Sequence, residues 1–169
     1  MTNGFLRPWA AAAAALALVG CAKAVSHAPV VDTNDIAATV KHDAELMVRD
    51  FNTKDGVAFA SHDARNVVAM FHGVPNSVGA SVDLAGTIVG FNAGPLRLEL
   101  SDMTVDVPAS GDYAVLRAAY RYHHYDPDTN RLIYEKGNYL AGYRPQTDGV
   151  WRIEWNVFSD TASGFTPPP

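Results

Sequence analysis

From Ser110 to Asp160 the chain reads SGDYAVLRAAYRYHHYDPDTNRLIYEKGNYLAGYRPQTDGVWRIEWNVFSD. Apolar and polar residues alternate through most of this stretch, which is the period of a half-buried strand. The turn-forming clusters SGD, DPDTN and QTDG divide it, together with the residues from Pro95 onward, into strands expected at 96–107, 112–125, 132–144 and 150–159. Connections this short join neighbours, so the four strands form an antiparallel meander. In the first of them Leu96, Leu98 and Leu100 share one parity, and Met103, Val105 and Val107 share the other. The inward face therefore changes near Ser101 and Asp102, where a β-bulge would bend the sheet.

Working back toward the N-terminus, the period changes. Ile36, Val40, Ala44, Met47, Val48 and Phe51 recur at three and four residues and predict an amphipathic helix from Asp35 to Phe51, capped by Thr33 or Asn34. Gly56 interrupts it. A short second helix is expected at Val57–Ser61, a first strand at Val67–Phe71, and a third helix around Leu84–Phe91 despite Gly86 and Gly90 inside it. Helices first and a long meander afterwards make an α+β fold.

The first twenty residues belong to something else. Arg7 is followed by an uncharged, alanine-rich run from Trp9 to Val19, the shape of a secretory signal and too short for a bilayer span of about 20 residues. Leu18-Val19-Gly20-Cys21 then resembles the lipobox of bacterial lipoproteins, in which the cysteine becomes the lipidated N-terminus. A buried cysteine beside an ordinary cleavage site is the plainer alternative. On the lipoprotein reading, residues 1–20 are the signal peptide, 21–34 the lipidated N-terminus and tether, 35–163 the folded domain and 164–169 a proline-rich tail. The resemblance implies two or three acyl chains on Cys21, enough to hold the domain stably to a membrane of the cell envelope, outside the cytoplasm and periplasmic if the cell is Gram-negative.

Cys21 is the single cysteine of the 169 residues, so the domain beyond it has no internal disulfide and no thiol nucleophile. Removal of Arg7 with the signal takes the formal charge from −5 to −6, and a mildly acidic domain argues against nucleic acid as a partner. There is no Gly-x-Ser-x-Gly context and no phosphate-cradling glycine loop or dinucleotide fingerprint, and no cofactor is expected.

The stretch that opens this section resembles SnoaL-like and ketosteroid-isomerase-homologue domains of the nuclear transport factor 2-like superfamily. Gly111, Gly137, Tyr139, Gly149, Trp151 and Ile153 carry the resemblance, over about residues 35–162. It implies a cone-shaped, curved antiparallel sheet wrapped around a long N-terminal helix, with about three helices and a pocket on the concave face. The matching positions are turn and packing residues, which speak for a fold and little for an activity.

On that frame, strand parity predicts the pocket. Ala114, Leu116, Ala118, Tyr120, Tyr122 and His124 are expected inward, with Arg117, Arg121 and His123 outward. Ile133, Glu135, Gly137, Tyr139, Ala141 and Tyr143 are expected inward on the next strand, and Trp151, Ile153, Trp155 and Val157 on the last. Tyr120, Tyr122, Tyr139 and Trp155 would form an aromatic pocket for a flat apolar ligand, or plain core. Where relatives often carry acids this chain has Asn66 and Asn156, and an amide cannot act as a base at neutral pH. Glu135 is left as the one concave carboxylate, able to pair with Tyr122 or His124 in acid/base chemistry, or with a basic residue at the rim. His123 and His124 point to opposite faces, and His27, His42, His62 and His72 are scattered and read as exposed or capping, so no metal site is expected.

These residues favour a membrane-tethered, non-catalytic domain that binds a small apolar ligand or a partner protein. The rival is an isomerase, hydratase or cyclase acting on a hydrophobic small molecule, and a third expectation is a homodimer through Arg117, Ala119 and Arg121 on the outer sheet face.

Overall fold

Asp32 starts the fold. Its carboxylate accepts from the backbone N–H of Asn34 at 2.9 Å and of Asp35 at 3.2 Å, and α1 runs from Thr33 to Asn52. The cap is thus one residue before the expected Thr33 and two before the expected Asn34. Asp35 in the first turn and Arg49 in the last both suit the helix dipole. The computed structural model describes residues 31–126, 129 and 131–161, within a compact unit that begins at Val31. Cys21, the expected signal and the proline tail lie outside the described residues.

The remaining elements are α2 (Gly56–Ala60), β1 (Asp63–Met70), β2 (Ser77–Val78), α3 (Ala80–Ala93), β3 (Arg97–Asp106), β4 (Ala114–Tyr125), β5 (Leu132–Pro145) and β6 (Trp151–Asp160). They build one six-stranded sheet in the order β2-β1-β6-β5-β4-β3. The meander β3 to β6 is antiparallel as expected, but β1 lies parallel to β6, so the sheet is mixed. This is an α+β cone with three helices. Among the described residues no helix is long and apolar enough to cross a membrane.

Val40, Ala44 and Met47 of α1 are buried against Leu98 of β3, Leu116 of β4, Tyr139, Ala141 and Tyr143 of β5 and Ile153 of β6. The C-terminal end of α1 is pinned by Asn52, whose side-chain amide donates to the Leu98 carbonyl at 2.8 Å and accepts from the Leu98 N–H at 2.7 Å. That exchange imitates a strand partner at the start of edge strand β3.

Besides the irregular pairing of β1 with β6 between Asp63 and Val68, two bulges set which side chains enter the cone. One falls between Ser101 and Thr104, where Asp102 adopts φ 54°, and moves the inward face of β3 as the leucine parity requires. The other was not foreseen. Tyr143 pairs with Ile153 and Gly142 with Trp155, which leaves Glu154 as an extra residue in β6.

Candidate functional site

The concave face of the sheet, the C-terminal half of α1 and one face of α3 enclose a cavity of about 460 Å³. Its walls are two aromatic groups. Phe51 packs edge-on against Phe59, Phe91 and Tyr122, with ring centroids 5.3–5.8 Å apart. Phe158 stacks on Phe71 at 5.5 Å and meets Tyr120 at 5.1 Å and Tyr139 at 4.7 Å. Met47 and Leu98 add apolar surface between them.

The room comes from α3. Asp83, Gly86, Thr87 and Gly90 fall at helical spacing and face the cavity, so this wall presents small or polar residues inward. A methyl group on Gly86 would meet nothing within 4 Å, and one on Gly90 only the Tyr122 hydroxyl at 3.9 Å. Val82, Ile88 and Val89 are exposed, reversing the usual amphipathic arrangement. Gly79 caps α3 with φ 96° and no side-chain hydrogen bond.

Tyr120, Tyr122, Tyr139 and Glu135 line the cavity. Trp155 does not. The bulge at Glu154 turns Trp155 and Val157 outward, and the indole lies over side-chain-free Gly142 and donates to the Tyr113 hydroxyl at 2.8 Å. Asn156, Phe158 and Asp160 take the inward places on β6. His124 stacks on Tyr122 with centroids 4.5 Å apart and bonds Glu135 at 3.2 Å, so the partner of that carboxylate is a histidine rather than Lys or Arg. The Tyr120 hydroxyl donates to Asp160. Burial pushes the Tyr122 phenol up to about 12, helped by the charge of Glu135, and raises Tyr120 and Tyr139 further, so all three stay protonated hydrogen-bond donors.

The first strand does carry an acid, Asp63, three residues before Asn66. Asn66 is exposed, whereas β1 begins four residues before the expected Val67 and places Asp63 in the cavity, 8% exposed. Asp83 of α3 is 6% exposed. Neither carboxyl has a hydrogen-bond partner among the described residues. Burial pushes Asp63 up to about 7, with repulsion from Asp83 and a smaller one from Asp43 adding and His62 opposing. Burial alone raises Asp83. Asp63 therefore holds its proton near neutrality, where an exposed aspartate would not.

His62 corrects the expectation of an exposed or capping residue. It is 6% exposed, with Nδ1 2.7 Å from Asp43 and Nε2 3.1 Å from Asp50. Burial opposes its charge, but the bonds to Asp43 and Asp50 outweigh that and raise its pKa. Both nitrogens then donate, and the imidazolium clamps α1 to the start of β1. Asp50 also accepts from Arg49 at 2.8 Å. Among the described residues no three of His, Cys, Asp and Glu are placed to hold a metal ion.

No protein-family model and no curated protein sequence matches the chain. Solved structures do match. A ketosteroid isomerase-like protein from Erwinia carotovora atroseptica superposes with a TM-score of 0.64 at 20% identity, covering 77% of this chain and 99% of that one. A nuclear transport factor 2-like superfamily protein from Salmonella enterica serovar Typhimurium gives 0.67 at 14% identity, over 78% and 95%. A hexachlorocyclohexane dehydrochlorinase gives 0.66 at 12%, over 76% and 88%. The described domain has the nuclear transport factor 2-like, ketosteroid-isomerase-type cone fold.

Proposed function

We propose that this domain binds a small, largely apolar molecule in the cone, held at a membrane face of the bacterial envelope by acylated Cys21. The cavity carries the ligand reading. Its 460 Å³ lies within the range of small-molecule sites, and its aromatic walls surround a few convergent polar groups. Asn156 is among its lining residues, and its buried Oδ1 has no hydrogen-bond partner among the described residues. Such a group costs about 1–3 kcal/mol, and a ligand can recover it. The sequence through Cys21 supports the tether. Native mass spectrometry of residues 25–169, purified from the source organism, tests the binding: a reproducible extra mass that vanishes on denaturation is expected, and a consistently empty domain would count against retention of a ligand.

Asp63 favours a second reading, an acid/base enzyme of the isomerase, hydratase or cyclase kind. A carboxyl poised near neutrality can take and return a proton at working pH, and tyrosine hydroxyls nearby can polarise a carbonyl. Asp63 then replaces Glu135 as the base. Incubating the retained molecule with the domain in D2O distinguishes the two: carbon-bound deuterium that depends on Asp63 makes it an enzyme, and no exchange leaves a binding domain.

A further inference from the structure

We propose that the cavity selects an organic cation: a protonated amine seated between Asp63 and Asp83, with its apolar body against the Phe51 and Phe158 aromatic groups. The inference rests on the binding reading above and names the chemistry of the ligand. Four carboxylates line the cavity, with exposed His72 as its basic residue and neither Lys nor Arg among the lining. Two are already engaged, Asp160 by the Tyr120 hydroxyl and Glu135 by His124. Asp63 and Asp83 remain, from β1 and α3, both over nine-tenths buried and without a hydrogen bond among the described residues.

The third unmet group is independent of these charges. Asn156, 6% exposed, lines the same cavity, and its Oδ1, an acceptor too, has no hydrogen-bond partner among the described residues. These three acceptors therefore stand without donors of their own in a cavity that the Tyr122 and Tyr139 hydroxyls also line. An ammonium supplies up to three N–H donors and a positive charge in one group, whereas a carboxylate ligand would add a fifth negative charge. The walls suit the rest of such a molecule, because aromatic faces attract cations and pack against an apolar chain. A bare metal ion would leave the aromatic surface uncovered and has no ligand set among the described residues.

The charge arrangement also couples binding to pH. Asp63 faces Asp83 from α3, Asp43 from α1, Tyr139 and Tyr143 from β5 and its neighbour His62; Asn156 from β6 is uncharged. With its carboxyl held up to about 7, Asp63 keeps a proton in the empty cavity at pH 6, and an arriving ammonium must expel it. Release of one such proton makes the affinity rise roughly tenfold between pH 6 and pH 8.

Calorimetry on the mature chain with 4-phenylbutylamine, 4-phenylbutan-1-ol and 5-phenylpentanoate at pH 6 and pH 8 tests this. The amine stays charged throughout. The expected result is amine binding at least tenfold tighter than the alcohol at pH 8, stronger there than at pH 6 with proton release, and no detectable binding of the carboxylate. Asp63→Asn should abolish the pH dependence and lower amine affinity at pH 8 at least tenfold while sparing the alcohol. Alcohol binding as tight as the amine would overturn the cation proposal and leave the binding reading standing. If none of the three binds to a chain that melts cooperatively, both fall.

Discussion

Replacing Asp63 by Asn removes a charge that the fold holds at a cost. Moving a carboxyl from 3.8 to about 7 makes its ionised form about 4 kcal/mol less favourable in the folded state, at about 1.36 kcal/mol per pH unit. Because the folded pKa is the higher one, the native chain keeps a proton that the unfolded chain releases between about pH 4 and pH 7. Native stability falls across that window as pH rises, then levels off. Asparagine resembles the protonated acid at every pH. The variant should therefore match the native protein near pH 4 and exceed it by up to about 4 kcal/mol at pH 8. Urea denaturation of both proteins at half-unit steps between pH 4 and pH 8 reads the difference directly, since contributions from Asp50, Glu99 and the exposed carboxylates largely cancel. A difference that is flat with pH, or that grows toward acid, would refute the reasoning that Asp63 is buried without a compensating partner.

Removing His62 as alanine leaves Asp43 and Asp50 without their shared donor and should destabilise the fold by about 3 kcal/mol. Since the folded pKa of His62 is raised above 6.5, its own titration favours the fold most at acid pH, and that part fades as pH rises through the folded value; urea titrations of His62→Gln against native protein should show this. Gly90→Leu should fill the cavity, so that 4-phenylbutylamine binding is lost while the melting temperature changes little, because space is open beyond Gly90. Gly137→Ala places a methyl group onto the Ser159 carbonyl of β6 and should cost about 2 kcal/mol or more in urea denaturation. Cys21→Ser should abolish incorporation of radiolabelled palmitate in growing cells; retained label would show that Cys21 is not the anchor.

The cone was legible because its signals are local. The leucine parity of β3 announced the bulge at Ser101–Thr104, and the turns SGD, DPDTN and QTDG bounded strands that match to within two residues. The inward faces of β4 and β5 followed from simple alternation. On β6 the same alternation misled, because the extra residue Glu154 has no signature of its own. What draws Trp155 outward is the space at Gly142, on another strand and thirteen residues away in sequence. The acids at the site were hidden for a similar reason. Asp63 sits in a DAR sequence that reads as loop, and pairing with β6 and burial beside α3 make it part of the cavity. Asp83, Gly86, Thr87 and Gly90 did offer a helical stripe, but one of small and polar residues, which ordinarily marks a solvent face.

That stripe has a kinetic consequence. Gly86 and Gly90 each cost a helix interior about 1 kcal/mol relative to alanine, and Gly79 offers the first turn no side-chain cap. Val82 and Val89, more than half exposed, contribute little burial in return. The segment that gives the cavity its volume is thus among the segments that unfold locally at least cost, and its amides should exchange with solvent sooner than those of β4 or β5. Gly86→Ala, whose methyl group meets nothing within 4 Å, should raise the protection of these amides by stiffening the helix.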